Sequence, residues 1–450
     1  MKQLLPHQIE DAKFLAERSF AGNFSGMGSG KTLTALAAVR ELGWHPDHGQ
    51  FGVIIVGPPI SLSMWREEVT SWLFAEAQIV RSGKAKLARG HINVWIMSYQ
   101  IATKRRDELK ALGAKVLICD ESHALKNIMA KRTKAILGKH GICESVDHTW
   151  CLTGTPSTRW NDDLFSFLTR ADGAGMKERV GKVDMSRFRL RYCITQKRKF
   201  SPRQRFATEV TVGNRNTEEL NEWLFDSGLA VRRELAEVWA AMPPLTINRL
   251  DVQLDADVEL RAMLKSMDKQ TLSEIREDVA RNAEHISTMR RKLGVAKVKH
   301  SVAEIIDRVE AGIKPILVGA WHTEVIDALY AVIDDAGLAV RIIDGRTSAL
   351  CRDRAVEAFN NGQIDVLIGQ IGAMGVALNL QGGSHIICVE EDWSPAIMDQ
   401  FFARCHRIGQ ANHVHVDIFQ SDTKLDQAVR RIATAKARGH NTLMEQGDAA

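Results

Sequence analysis

Val116-Leu117-Ile118-Cys119-Asp120-Glu121-Ser122-His123 joins a short apolar run to a pair of carboxylates. A continuous apolar run of this length reads as a strand buried on both faces, as in a parallel sheet covered by helices. Open sheets of that kind bind ligands at the carboxyl ends of their strands, which is where Asp120 and Glu121 fall. Working outward, Val53-Ile54-Ile55-Val56 and Val94-Trp95-Ile96-Met97 have the same character, and helical patterns separate them. The rhythm returns after about residue 312, with Ile316-Leu317-Val318, Val340-Arg341-Ile342-Ile343, Val366-Leu367-Ile368, Ile386-Ile387-Cys388-Val389 and the run from Val414 to Phe419. Strand and helix alternate twice, which predicts an α/β protein with two parallel-sheet lobes in tandem.

Between the lobes, from about 170 to 300, strand signals thin out. Segments 218–241 and 257–292 carry the spacing of charged amphipathic helices. The expected organisation is a first lobe over 1–170, a basic segment and helical insert or linker over 171–295, a second lobe over 296–438, and a flexible polar tail over 439–450. A chain of 450 residues is long enough for two such cores.

Upstream of the acidic pair stands Ser25-Gly26-Met27-Gly28-Ser29-Gly30-Lys31-Thr32. Gly28 and Gly30 let backbone N–H groups of the loop, Ser29 included, close around phosphates. Lys31 supplies a point charge to the β and γ phosphates, and the Thr32 hydroxyl can ligate Mg2+ at a helix N-terminus. Asp120 is placed to hold the same Mg2+ and Glu121 to polarise an attacking water, since phosphoryl transfer depends on positioning and charge compensation. A lone Asp-Glu pair would more simply be a helix N-cap. With the phosphate loop upstream the catalytic reading prevails, and ATP with Mg2+ is the expected ligand.

Apolar content of 45% with 26% charged residues is that of a soluble globular chain, and no apolar run nears the roughly 20 residues that span a bilayer. The N-terminus lacks the pattern of a secretory signal. A cytoplasmic protein of a bacterium or phage-infected cell, associated with the nucleoid and not with a membrane, is expected. Seven scattered cysteines without a Cys-x-x-Cys pair argue for reduced, buried thiols. A net charge of +5 says little, but its distribution says more. Lys177, Arg179, Lys182, Arg187, Arg189, Arg191, Lys197, Arg198, Lys199, Arg203 and Arg205 face only Glu178 and Asp184. Such a run either neutralises nucleic-acid phosphates or forms a solvated basic face.

These residues, with Leu125-Lys126-Asn127 and Thr153-Gly154-Thr155-Pro156, resemble the Swi/Snf-type branch of the superfamily II helicases, and among them most nearly the annealing-helicase type. The resemblance implies two RecA-like lobes and an ATP-driven translocase on double-stranded or forked DNA, working as a monomeric motor. It implies that Gln8 in Pro6-His7-Gln8 reads adenine and that Thr153, Thr155, Gly375 and Asn379 couple the nucleotide to DNA. Gln400, Arg404, His406, Arg407, Ile408, Gly409 and Gln410 resemble motif six. There Arg404 and Arg407, three apart and able to share a helical face, would offset charge on the transferring phosphoryl group, with Gln410 at the nucleotide. Pro58, Trp65, Ser98, Arg232, Arg233, His322 and Trp393 match elements that lie along DNA in the family. Ser25-Gly26 stands where an acidic pair is usual, Ser29 where leucine is, Gln370-Ile371-Gly372 where relatives carry hydroxyls and an arginine, and Ala403 where an aspartate is frequent. A strand-separating helicase, and a motor subunit or DNA-binding scaffold of a larger replication, repair or transcription assembly, are the alternative functions.

Overall fold

A computed structural model describes residues 3–45, 47, 50–157, 160–199, 205–239, 242–267, 283–374 and 378–444. The chain divides into two compact units, residues 1–240 forming the bulk of the first and 241–437 the second.

The first unit is built on a seven-stranded, all-parallel sheet in the order β3-β4-β2-β5-β6-β1-β9. Its strands are β1 (Phe20–Asn23), β2 (Gly52–Gly57), β3 (Ala77–Val80), β4 (Val94–Ser98), β5 (Ala114–Asp120), β6 (His148–Leu152) and β9 (Ala230–Val231). Successive side chains of a strand point to opposite faces, and both faces are covered. Val53 and Ile55 of β2 pack with Leu15, Leu36 and Trp150, while Ile54 and Val56 pack with Leu117, Phe167 and Tyr192. Each of these β2 side chains is wholly excluded from solvent. Burying each one stabilises the fold by about 1.5–3 kcal/mol. Helix α1 (Pro6–Ala16) and helix α2 (Lys31–Glu41) lie together against this sheet.

An antiparallel ribbon of β7 (Cys193–Arg198) and β8 (Thr208–Asn214) stands apart from both main sheets. The second unit has six parallel strands in the order β10-β15-β14-β11-β13-β12. They are β10 (Leu245–Asp251), β11 (Ile316–Ala320), β12 (Val340–Ile343), β13 (Val366–Gln370), β14 (His385–Cys388) and β15 (Val414–Gln420). Val366 and Ile368 of β13 face one side and Leu367 the other.

All eight apolar runs read as strands are strands, and the α/β architecture of two tandem parallel sheets stands. The middle segment departs from expectation. Residues 171–295 are divided between the two units: β9 extends the first sheet and β10 the second. Segment 218–241 holds one helix, Thr217–Phe225, and then turns into β9 and a short helix, Leu235–Val238. Gly228, with φ of 67°, sits at that break. Of the helix expected over 257–292, Val258–Met267 and the start of Ala283–Glu310 are seen, and 268–282 lie outside the described residues.

The tail expected to be flexible begins inside a helix, Lys424–Met444. Leu425, Ala428, Val429 and Ala433 of this helix are buried at helical spacing, which anchors its first half. Residues 445–450 lie outside the described residues. All seven cysteines are free, and Cys351 departs from the rest in being exposed. Among the described residues no helix is long and apolar enough to cross a membrane.

Candidate nucleotide site

The phosphate loop leaves β1 and enters α2. Gly28 and Gly30 have φ of 80° and 83°, the left-handed region where a side chain is strained. A Cβ on Gly30 would lie 2.2 Å from Gln8 Nε2, so a side chain there would also displace the Gln8 amide. The Lys31 ammonium donates to the carbonyls of Ser25 (2.8 Å) and Gly26 (2.9 Å), which holds it folded over the loop. The Ser29 hydroxyl is buried with no hydrogen-bond partner among the described residues.

Segment 229–233 runs beside the loop and continues the ladder of β9. Gly22, Phe24 and Gly26 donate to the carbonyls of Leu229 (3.0 Å), Val231 (2.8 Å) and Arg233 (2.8 Å). In return Arg233 N–H donates to Ser25 Oγ at 3.1 Å. That bond gives a physical reason for serine at position 25.

At the end of β5, Asp120 Oδ2 accepts from the Trp65 indole N–H at 2.9 Å, and its carbonyl accepts from Tyr99 OH at 2.7 Å. Burial pushes the Asp120 carboxyl up to about 6, and Glu121 adds to the rise; Trp65, Ser61 and the Lys31 ammonium oppose it. A carboxylate so held, with the Thr32 hydroxyl at the start of α2, is a hard-oxygen donor set suited to Mg2+. Glu121 adopts φ of 49°, a conformation that costs a non-glycine residue about 1–3 kcal/mol and that concentrates at functional sites. His123 Nδ1 lies 3.2 Å from Glu121 Oε2 and 3.2 Å from Thr153 Oγ1, and Thr153 Oγ1 accepts from Thr155 N–H at 3.1 Å. His123 therefore stands between Glu121 and the Thr153-Gly154-Thr155 turn. A Cβ on Gly154 would lie 2.8 Å from Met27 Cγ, so this turn also packs closely on the phosphate loop.

In the second unit, helix Pro395–Phe402 ends before the arginines. Arg404 and Arg407 lie in the turns that follow, not along one helical face as the spacing suggested. Leu380 N–H donates to Arg404 O at 3.0 Å, which pulls the chain out of the helix, and Gly409 turns it with φ of 100°. Both guanidinium groups nevertheless converge on the Leu378 carbonyl, at 3.5 and 3.2 Å.

A model of the SNF2-related domain matches residues 7–173, and one of the helicase conserved C-terminal domain matches 297–409. The chain carries an SNF2-related domain followed by a helicase conserved C-terminal domain. The Xenopus laevis "SWI/SNF-related matrix-associated actin-dependent regulator of chromatin subfamily A-like protein 1" is 25% identical over 92% of this chain and 41% of its own length. The human "DNA annealing helicase and endonuclease ZRANB3" is 26% identical over 97% and 40%. The human "DNA repair and recombination protein RAD54B" is 24% identical over 92% and 52%. The chain thus spans about two-fifths to half of these curated relatives. The solved "Sulfolobus solfataricus SWI2/SNF2 ATPase core in complex with dsDNA" aligns with a TM-score of 0.43 at 18% identity, over 93% of this chain and 88% of that one.

Within this SNF2-type frame several expected residues take other places. Trp65 is wholly buried beside Asp120 and is corrected from a DNA contact to a support of the carboxylate. Arg233 is paired with Asp11 (3.1 Å) and Glu10 (2.9 Å) on α1. Arg232 is largely buried, bonded to Phe24 O (3.4 Å) and to Glu234. Both arginines brace the phosphate loop and the strand that leads into it. His322 is held at 2.6 Å by buried Glu390, and Trp393 stacks under Arg290, 4.9 Å from its ring centre.

Gln410 is buried, its amide donating to Gln381, Gly383 and Cys405 carbonyls and accepting from Asn412 N–H. Its amide N–H groups are engaged within the turn, which gives Gln410 a structural role there. Gln8 donates weakly to Ser29 O (3.4 Å) and accepts from Leu5 N–H (2.9 Å), which seats it against the loop. Pro58 O accepts from Ser61, Ser98 caps a helix start by accepting from Ile101 N–H, and Asn379 is exposed and bonded to Gln381. Gly375 and Arg203 lie outside the described residues. Reading the residues in order missed His123 as a link, although its place two residues after Glu121 was a signal. Asp11, on α1 and paired with Arg233, carried none.

Two outcomes follow from this geometry. Trp65→Phe removes the N–H donor from a buried carboxylate and should lower stability by about 1.5–3 kcal/mol, read as an earlier first transition in thermal unfolding. Thr153→Val keeps the shape and removes the hydroxyl between His123 and Thr155. It should lower DNA-stimulated turnover roughly tenfold, the equivalent of about 1.4 kcal/mol, with ATP affinity unchanged, by steady-state assay against fluorescent-nucleotide binding.

Proposed function

We propose that the chain is an ATP-dependent translocase on double-stranded DNA, using hydrolysis to remodel or anneal DNA or to displace bound proteins. The observation that carries this reading is the gathering of Glu121, His123, Thr153 and Thr155 at a turn that packs on the phosphate loop, in a chain that matches the SNF2-related domain.

In this reading Lys31 and the loop N–H groups hold the β and γ phosphates of ATP, and Thr32 and Asp120 hold Mg2+. The ion, when bound, neutralises charge on the phosphates. Glu121 orients the attacking water. Arg404 and Arg407 offset charge on the transferring phosphoryl group. The Thr153 hydroxyl transmits the state of Glu121 to the turn that bears Thr155, which supports coupling of hydrolysis to movement. DNA is held through its phosphates, so binding is largely independent of sequence and weakens with salt.

Displacement of a third strand from a triplex tests the proposal, because it needs movement along duplex without opening it. ATP-dependent displacement is expected. Failure on the triplex with release of one strand from a simple duplex would replace translocation by strand separation.

A further inference from the structure

The β7–β8 ribbon is anchored at one end and bare at the other. At its root Tyr192 and Cys193 are buried, Thr211 donates to Asp162 (2.8 Å), and Asn161 bonds to Asn214 (2.9 Å) and Tyr192 O (3.0 Å). Toward its far end every described residue from Gln196 to Lys199 and from Arg205 to Glu209 is exposed. An isolated two-stranded ribbon has too little core to hold itself, so the buried root maintains a projection that contributes little to the core.

The projection carries Lys197, Arg198, Lys199 and Arg205 against one carboxylate, Glu209, which is bonded to Thr195 Oγ1 at 2.6 Å. The basic run was open between a nucleic-acid surface and a solvated face, and the structure takes three of its arginines out of both. Arg179 and Arg191 pair with Glu219, and Arg189 with Asp162. The ribbon's own cations show no ion pair among the described residues. Beside them Phe206 is 74% exposed, with the Arg205 guanidinium 5.4 Å from its ring centre. An exposed phenyl amid basic side chains combines a stacking face with phosphate-neutralising charge, the pairing by which proteins hold unpaired bases.

We infer that this ribbon is a second DNA contact, outside the nucleotide site, in which Phe206 stacks on an unpaired base at a branch while Lys197, Arg198 and Lys199 hold the adjoining phosphates. It rests on the DNA-binding reading above and narrows it to branched DNA. Charge complementarity selects the occupant: an apolar protein surface would leave these cations unpaired.

The test is fluorescence anisotropy of the full chain with two labelled DNAs, a continuous duplex and the same duplex bearing a single-stranded branch. Phe206→Ala, a change at an exposed site, should weaken binding to the branched DNA about tenfold and leave the continuous duplex within about twofold. Lys197→Glu with Arg198→Glu should weaken the branched complex further and flatten its salt dependence. Unchanged binding of the branched DNA by Phe206→Ala, or equal loss on both DNAs, overturns the inference. The wild-type result on the continuous duplex reports separately on the parent reading: no binding there defeats the translocase proposal, whereas the ratio between the two DNAs judges the ribbon.

Discussion

Glu121→Gln is expected to cut ATP turnover by about 10²- to 10⁴-fold, the usual worth of a positioned proton acceptor, while ATP still binds. Glutamine matches glutamate in size, so the left-handed backbone at 121 and the contact with His123 stay nearly in place, and only the charge that polarises water is lost. The variant should saturate with a fluorescent ATP analogue at wild-type concentrations, and single-turnover hydrolysis should be nearly flat. Turnover at the wild-type rate would remove Glu121 from the chemistry.

Lys31→Ala should lose ATP binding as well as turnover, by about a hundredfold or more, because two charge-assisted contacts to the phosphates go together at about 1.5–3 kcal/mol each. The Lys31 ammonium bonds to the Ser25 and Gly26 carbonyls, so the loop loses two hydrogen bonds in the variant. The cost in stability is small, about 1 kcal/mol, because the loop is also tied through Gly26 to Arg233 and through Ser25 to Asn23. Thermal unfolding close to wild type with no nucleotide-induced rise in the transition is the expected result. A nucleotide-induced rise equal to that of wild type would contradict it.

The strands that form the centres of both sheets were legible because burial on both faces leaves only apolar residues along them, as in Val53 to Val56 and Val366 to Ile368. The strands that were not legible lack that signature. Phe20-Ala21-Gly22-Asn23 contains glycine and asparagine because it feeds the phosphate loop. Ala230-Val231 is two residues long, too short for any period. Cys193 to Arg198 is polar because its ribbon is bare. The middle segment read as an insert for the same reason: β9 and β10 belong to sheets whose other strands lie far away in sequence, and only tertiary pairing recruits them.

The nucleotide-site residues were legible for a different reason. Phosphate binding demands glycines, a lysine and carboxylates in order, and few other tasks demand that set. The roles of Trp65, Arg232, Arg233 and Gln410 were not legible. An indole N–H, a guanidinium or an amide serves a buried partner as well as an external ligand, and the sequence does not say which partner the fold delivers. Asp120 beside Trp65 and the three carbonyls around Gln410 decided it.

The most direct test is the steady-state ATPase rate of the purified chain, measured alone and with single-stranded DNA, continuous duplex, branched duplex and RNA, with Glu121→Gln as the blank. A DNA-driven motor should show a low basal rate raised at least about tenfold by duplex and by branched DNA, and little by RNA. A rate that is high without nucleic acid, or that RNA raises as much as duplex DNA does, would contradict the account.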